Sequence, residues 1–136
     1  MGCDIHVHIE VQNEAGKWLH HSAPDVKRDY GLFALMAGVR NYGKVQPIAE
    51  PRGLPDDISE VTSAEWEPYA DNWHTPSYLM ADELPELQQR YQELRHDLHS
   101  LDTDLEYGVF HTYVAGNSLS SHEGWKDLRI VFWFDN

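Results

Sequence analysis

The chain has 136 residues and a formal net charge of −13, from 23 acidic side chains against 10 Lys and Arg. One domain with its own core fits that length, and so acidic a surface repels a phosphate backbone, which argues against extended nucleic-acid binding. No apolar run is long enough to span a bilayer and no basic-then-apolar leader opens the chain, while a single cysteine, Cys3, leaves no disulfide framework and suits a reducing cytosol.

The first element is set by strict alternation. Asp4, His6, His8 and Glu10 fall on one parity, and Cys3, Ile5, Val7, Ile9 and Val11 on the other. Alternate side chains of a strand point to opposite faces, so one face is apolar and the other carries two carboxylates and two imidazoles. Cys3 belongs to the apolar face and reads as a small buried hydrophobe. A glycine-containing loop, Asn13-Glu14-Ala15-Gly16, then leads into Trp18-Leu19-His20-His21, which predicts a β-hairpin.

Asp29 is placed to cap a helix from Tyr30 to Ala37, with Leu32, Phe33, Leu35 and Met36 as its apolar stripe and Gly38 as its stop. Residues 41–80 show no convincing period and hold five of the seven prolines. An irregular segment of that length tends to be functional when it is ordered. A long helix follows, ending near Ser100, in which Leu84, Leu87, Tyr91, Leu94, Leu98 and Leu101 recur at spacings of three and four and Pro85 sits in the first turn. That seam packs on the sheet or pairs with a second copy of the chain. Val109 to Ala115 reads as a strand, 116–124 as a polar loop, and 128–134 as an apolar strand central to the sheet. The expected architecture is α+β: one domain, with an antiparallel sheet of about four strands and one or two helices on its apolar face.

The polar parity of the first strand admits two readings. Same-face neighbours on a strand lie about 6.6 Å apart, so Asp4 with His6, or His6 with His8, can converge on one ion; Asp4 and Glu10, roughly 20 Å apart, cannot. Imidazole with carboxylate suits Zn²⁺, Mn²⁺ or a similar divalent ion. The other reading is the wet face of a half-buried sheet, which shows the same alternation. Further groups should come from 41–80. There Asp71 and His74 stand three apart beside Trp73, and a carboxylate near an imidazole fixes its tautomer. Arg52, held between two prolines, could join Arg28 and Arg40 in an anion clamp, or each arginine could pair with a nearby acid. His20 and His21 occupy adjacent strand positions and point apart.

The blocks MGCDIHVHIEV, RDYGLFALMAGVRN, EPRGLPDD, HTPSYL and RIVFWFDN resemble, in that order, those of a family of small bacteriophage and prophage proteins. The resemblance implies a protein made in the host cytosol during infection, when nucleotide metabolism and host defence are usual targets. The stretch Asp4-x-His6-x-His8 is also similar to the metal strand of amidohydrolase-type and polymerase-and-histidinol-phosphatase-type enzymes, although those are barrels of far greater length.

The leading expectation is a metal-dependent hydrolase of a small phosphoester or nucleotide-like substrate. Asp4, His6 and His8 would hold the ion, Asp71, His74 or Glu10 would move protons, and Arg52, Arg40, Arg28 and Trp73 would bind the small anionic ligand. The alternative is a non-enzymatic module that sequesters a nucleotide-like signal or blocks a host protein, with Trp73, Tyr78 and Tyr42 stacking on the ligand.

Overall fold

A computed structural model describes residues 2–98 and 125–136. Four strands, β1 (Asp4–Gln12), β2 (Trp18–Ser22), β3 (Trp73–Met80) and β4 (Asp127–Asp135), form one antiparallel sheet in the order β2-β1-β4-β3. Among the described residues, three α-helices accompany them: α1 (Tyr30–Ala37), α2 (Glu60–Trp66) and α3 (Leu84–Leu98). The expected α+β class and the hairpin from β1 to β2 are both present, and the C-terminal strand is central in the sheet. The strand and loop expected over 109–124 lie outside the described residues.

The apolar parity of β1 does what its alternation requires. Ile5, Val7, Ile9 and Val11 stand opposite Phe134, Phe132, Ile130 and Leu128 of β4, and all eight join one core with Leu32, Phe33, Leu35 and Met36 of α1. The cap of α1 is the expected one. The Asp29 carboxylate accepts from the Leu32 amide at 3.2 Å, and Gly38, at φ 74°, closes the C-terminus in the left-handed region, where only glycine is without penalty. Leu84, Leu87 and Tyr91 of α3 are buried in the same core and Leu94 lies against it. The start of the leucine seam is therefore buried inside the monomer.

Residues 41–80 are less irregular than their prolines suggest. Ser59 caps α2 through the Thr62 amide, a 3₁₀ turn runs over Glu67–Asn72, and β3 follows. Pro76 sits where a proline is tolerated in a sheet, on an edge strand and within a bulge: the β3/β4 register shifts between His74 and Ser77, and Thr75 takes φ 55°. The second face of the sheet is wet only at one end, where Asp4 is exposed and His6 partly so, while His8 and Glu10 are buried. It is roofed by α2 and the 3₁₀ turn, so the polar row of β1 forms the floor of a second, partly aromatic layer.

Candidate functional site

Ladder register decides which side chains share this second face. His6 stands opposite Trp133, Glu10 opposite Arg129, Trp73 opposite Asp135, and His20 opposite Glu10. A bulge in the β1/β2 pairing between Ile9 and Glu10 accompanies the close approach of His20 to His8. Sequence reasoning weighed His20 only against its chain neighbour His21; the neighbour that matters lies across the hairpin.

Two carboxylate–imidazole pairs result. His6 Nε2 meets Asp135 Oδ2 at 2.5 Å, with about a third of each side chain exposed. The His6 ring is stacked against Trp73, with centroids 5.1 Å apart, and lies 6.2 Å from the Trp133 ring. His8, only 3 % exposed, meets Glu65 Oε1 through Nε2 at 2.5 Å and His20 Nε2 through Nδ1 at 2.9 Å. A carboxylate only accepts, so both pairs place the ring proton on Nε2. While His8 is neutral, its Nδ1 accepts from His20 Nε2–H, which gives the chain a direction from His20 through His8 to Glu65. Burial, and next the proximity of His8, hold the His20 imidazole below its ordinary pKa, which agrees with a neutral donor.

Tryptophans roof and floor the site. Trp133 is stacked on Trp73 at 5.0 Å and on His8 at 5.2 Å, and Trp66 of α2 meets it edge-on at 5.2 Å. Tyr69 of the 3₁₀ turn leans on Trp73 at 5.7 Å. Trp133 Nε1 is the only buried side-chain nitrogen or oxygen among the described residues without a hydrogen-bond partner, an omission that costs about 1–3 kcal/mol.

Glu10, expected as an acid–base group, is completely buried. It accepts from the Ser59 amide at 3.0 Å, the Thr62 hydroxyl at 2.7 Å and Arg129 Nε at 2.8 Å. Burial alone would raise its pKa, but the bonds from Ser59, Thr62 and Arg129 outweigh burial and hold the carboxyl below its ordinary value. Arg129 bridges onward to Asp57 at 2.8 Å and lies 4.0 Å from the centre of the Trp18 ring. This buried pair anchors the loop before α2, and with it the Glu65 side chain.

The other expected site residues are dispersed. Asp4 is exposed and holds Arg28 through two bonds of 3.0 and 3.2 Å. Arg52 grips Glu83 through bonds of 2.7 and 2.6 Å and also donates to the Tyr78 carbonyl. Arg40 rests over the Tyr30 ring, 5.3 Å from its centroid. The three arginines form no common clamp. His74 lies opposite Phe134 and so on the apolar face of the sheet, away from His6. It bonds Thr75 at 2.8 Å and Asn136 at 3.2 Å. Asp71 is exposed in the 3₁₀ turn and makes no bond to His74. Of the residues singled out beforehand, the structure brings together His6, His8 and Trp73. Glu65, His20, Asp135 and Trp66 were missed. Ser59 ahead of a short polar run is an N-cap signal that could have announced α2; no local signal connects Asp135 to His6, which are 129 residues apart.

Among the described residues, no three His, Cys, Asp or Glu side chains are grouped to hold a metal ion. Asp4 faces Arg28 and His8 directs its two ring nitrogens to Glu65 and His20, so Asp4, His6 and His8 do not converge as arranged. No described helix is long and apolar enough to cross a membrane. Comparison with protein-family models, with curated proteins and with solved structures found no match.

Proposed function

We propose that the chain is a hydrolase of a small phosphoester or nucleotide-like molecule, with His6 as its general acid–base group. The observation that carries this reading is the contact between His6 Nε2 and Asp135, one-third exposed and flanked by Trp73. Asp135 holds the proton on Nε2, which leaves Nδ1 as the basic atom; no described residue bonds it. In that role Nδ1 takes a proton from water as the water oxygen bonds to the electrophilic centre. Asp135 stabilises the imidazolium that forms, and the proton then passes to the departing oxygen. The partly exposed rings of Trp73 and Trp66 offer a surface on which a planar base can stack. The His20–His8–Glu65 chain stiffens the strand beneath His6 and fixes the position of α2.

A divalent ion at Asp4, His6 and His8 would supply a bound hydroxide of lowered pKa. Those residues as arranged do not present that set, since Asp4 faces Arg28 and His8 faces Glu65 and His20. The test is a screen of the purified chain against p-nitrophenyl phosphodiesters, carboxylic esters and nucleotides. Each assay is run with chelator and again with added Mn²⁺ or Zn²⁺, for the wild type, His6→Gln and Asp135→Asn. Turnover that survives chelator and falls about 10²- to 10⁴-fold in both variants is the expected result. Turnover abolished by chelator and by Asp4→Ala would replace imidazole catalysis with a metal-borne hydroxide. Chelator-insensitive ligand binding without turnover would make the chain a sequestering module instead.

A further inference from the structure

Residues 30–49 contain no Asp or Glu, in a chain that has 23 of them, yet they contain Arg40 and Lys44. This acid-free stretch folds into α1 and the loop after it, and together they border a cleft of about 370 Å³ on the helical side of the sheet. Ligand sites for small molecules begin at about this volume. Its walls are Tyr30, Tyr42 and Arg40, and Ala34, Val45 and Leu94 supply apolar lining.

The loop is held in an unusual shape. Arg40 and Lys44 both take left-handed backbone angles, φ 50° and 55°, a conformation that costs a residue with a side chain about 1–2 kcal/mol. Asn41 fixes the loop by bonding Val45 twice, donating to its carbonyl at 2.7 Å and accepting from its amide at 2.9 Å. Backbone strain of this kind gathers where a fold presents groups to a ligand. What the loop presents is a cation beside two rings. Tyr42 is 73 % exposed and edge-on to Tyr30, with centroids 6.1 Å apart, and the Arg40 guanidinium lies over Tyr30.

Arg40 also differs from its counterparts. Arg28, Arg52, Arg90 and Arg129 each face a carboxylate, namely Asp4, Glu83, Glu86 and Glu10. Arg40 faces none among the described residues, and the polar bond it makes is a long one, 3.4 Å to the Tyr42 hydroxyl. A guanidinium that faces no carboxylate among the described residues, in a strongly acidic protein, beside an apolar cleft walled by tyrosines, matches a ligand with a planar ring and one anionic substituent.

We propose that this cleft binds a small aromatic anion, its ring between Tyr42 and the apolar lining and its carboxylate or phosphate on Arg40. The site lies on the opposite face of the sheet from His6, so it stands or falls independently of the hydrolase reading. The test is saturation-transfer NMR on the full chain with three probes: benzoate, phenyl phosphate and uncharged benzyl alcohol. Affinity for at least one anion should exceed that for benzyl alcohol tenfold or more, and Arg40→Gln should remove that advantage. Preference for benzoate or for phenyl phosphate tells which anion the site takes. Tyr42→Ala, which alters a largely exposed side chain, should weaken both anions several-fold while the melting temperature stays at the wild-type value. The His6→Gln protein should bind as the wild type does. Equal affinity for all three probes, absence of binding at millimolar concentration, or an anion preference that persists in Arg40→Gln would each overturn the proposal.

Discussion

Glu10 and Arg129 face one another across the central β1/β4 ladder, 2.7 Å apart and both buried. A buried pair of this kind adds little net stability over apolar residues, but removing one partner strands a charge in a medium that cannot solvate it. Arg129→Met should therefore lower stability by about 3–5 kcal/mol, measured by urea denaturation. Joining it to Glu10→Met should restore part of the loss, because the stranded carboxylate is gone. A double variant no more stable than Arg129→Met would show that the cost lies in the lost contacts to Trp18 and Asp57 rather than in the uncompensated charge.

The same layer makes stability depend on pH, with a definite sign. Burial, and then the proximity of the His8 ring, hold His20 below the ordinary value of 6.5, while Glu10 and Glu65 act in the opposite sense and His21 adds to the lowering. The unfolded chain thus binds a proton at a pH where the folded chain does not. The stabilisation is complete above 6.5 and drains away as pH falls through the lower folded value. Glu10 and Glu83, whose pKa values also lie below the ordinary 4.5, add a second loss as pH falls through their own folded values. Melting temperatures should be flat from pH 8 to 7, decline below 6.5, and decline again below 4.5. In His20→Gln the first decline should shrink while the second remains.

The turn that closes α1 supplies a third expectation. Gly38 ends α1 at φ 74° and its amide donates to the Ala34 carbonyl at 2.8 Å. Alanine at this position must adopt the left-handed region against its own Cβ, at about 1–2 kcal/mol. Asparagine, which tolerates that region, should lose less. The order glycine, asparagine, alanine in urea midpoint is the expected result. An alanine variant as stable as the wild type would mean that the turn can unwind without loss.

How far the sequence foretold this molecule depends on the range over which each feature is written. Alternation along β1 identified its two faces correctly, and Asp29 with Gly38 marked both ends of α1, because those signals lie within one element. Residues 59–80 hid a helix and a strand. α2 has only Thr62 buried, so it carries no apolar stripe, and Pro76 disguised β3 as a loop although the bulge of an edge strand accepts it. The polar row was weighed as solvated or metal-bound because the element that covers it was not foreseen. Once α2 is laid over β1, Glu65 reaches His8 and Thr62 reaches Glu10. Such pairings join residues about fifty positions apart, and no local period encodes them.

Last is the proton on His6. If Asp135 orients the ring, the proton sits on Nε2 and Nδ1 carries the lone pair, which is the arrangement a general base at Nδ1 needs. Nitrogen-15 NMR separates the two tautomers by chemical shift, and Trp73 and Trp133 beside the ring should displace its carbon-bound protons enough to identify it among the nine histidines. In the wild type at pH 8 the Nε2–H form should predominate. Asp135→Asn keeps the volume but replaces the obligate acceptor with an amide that can also donate, so that tautomer should lose its bias. His8, held by Glu65 and His20, should keep its own. If His6 shows no bias in the wild type, Asp135 does not orient it, and the acid–base reading of this site fails whatever the substrate screen returns.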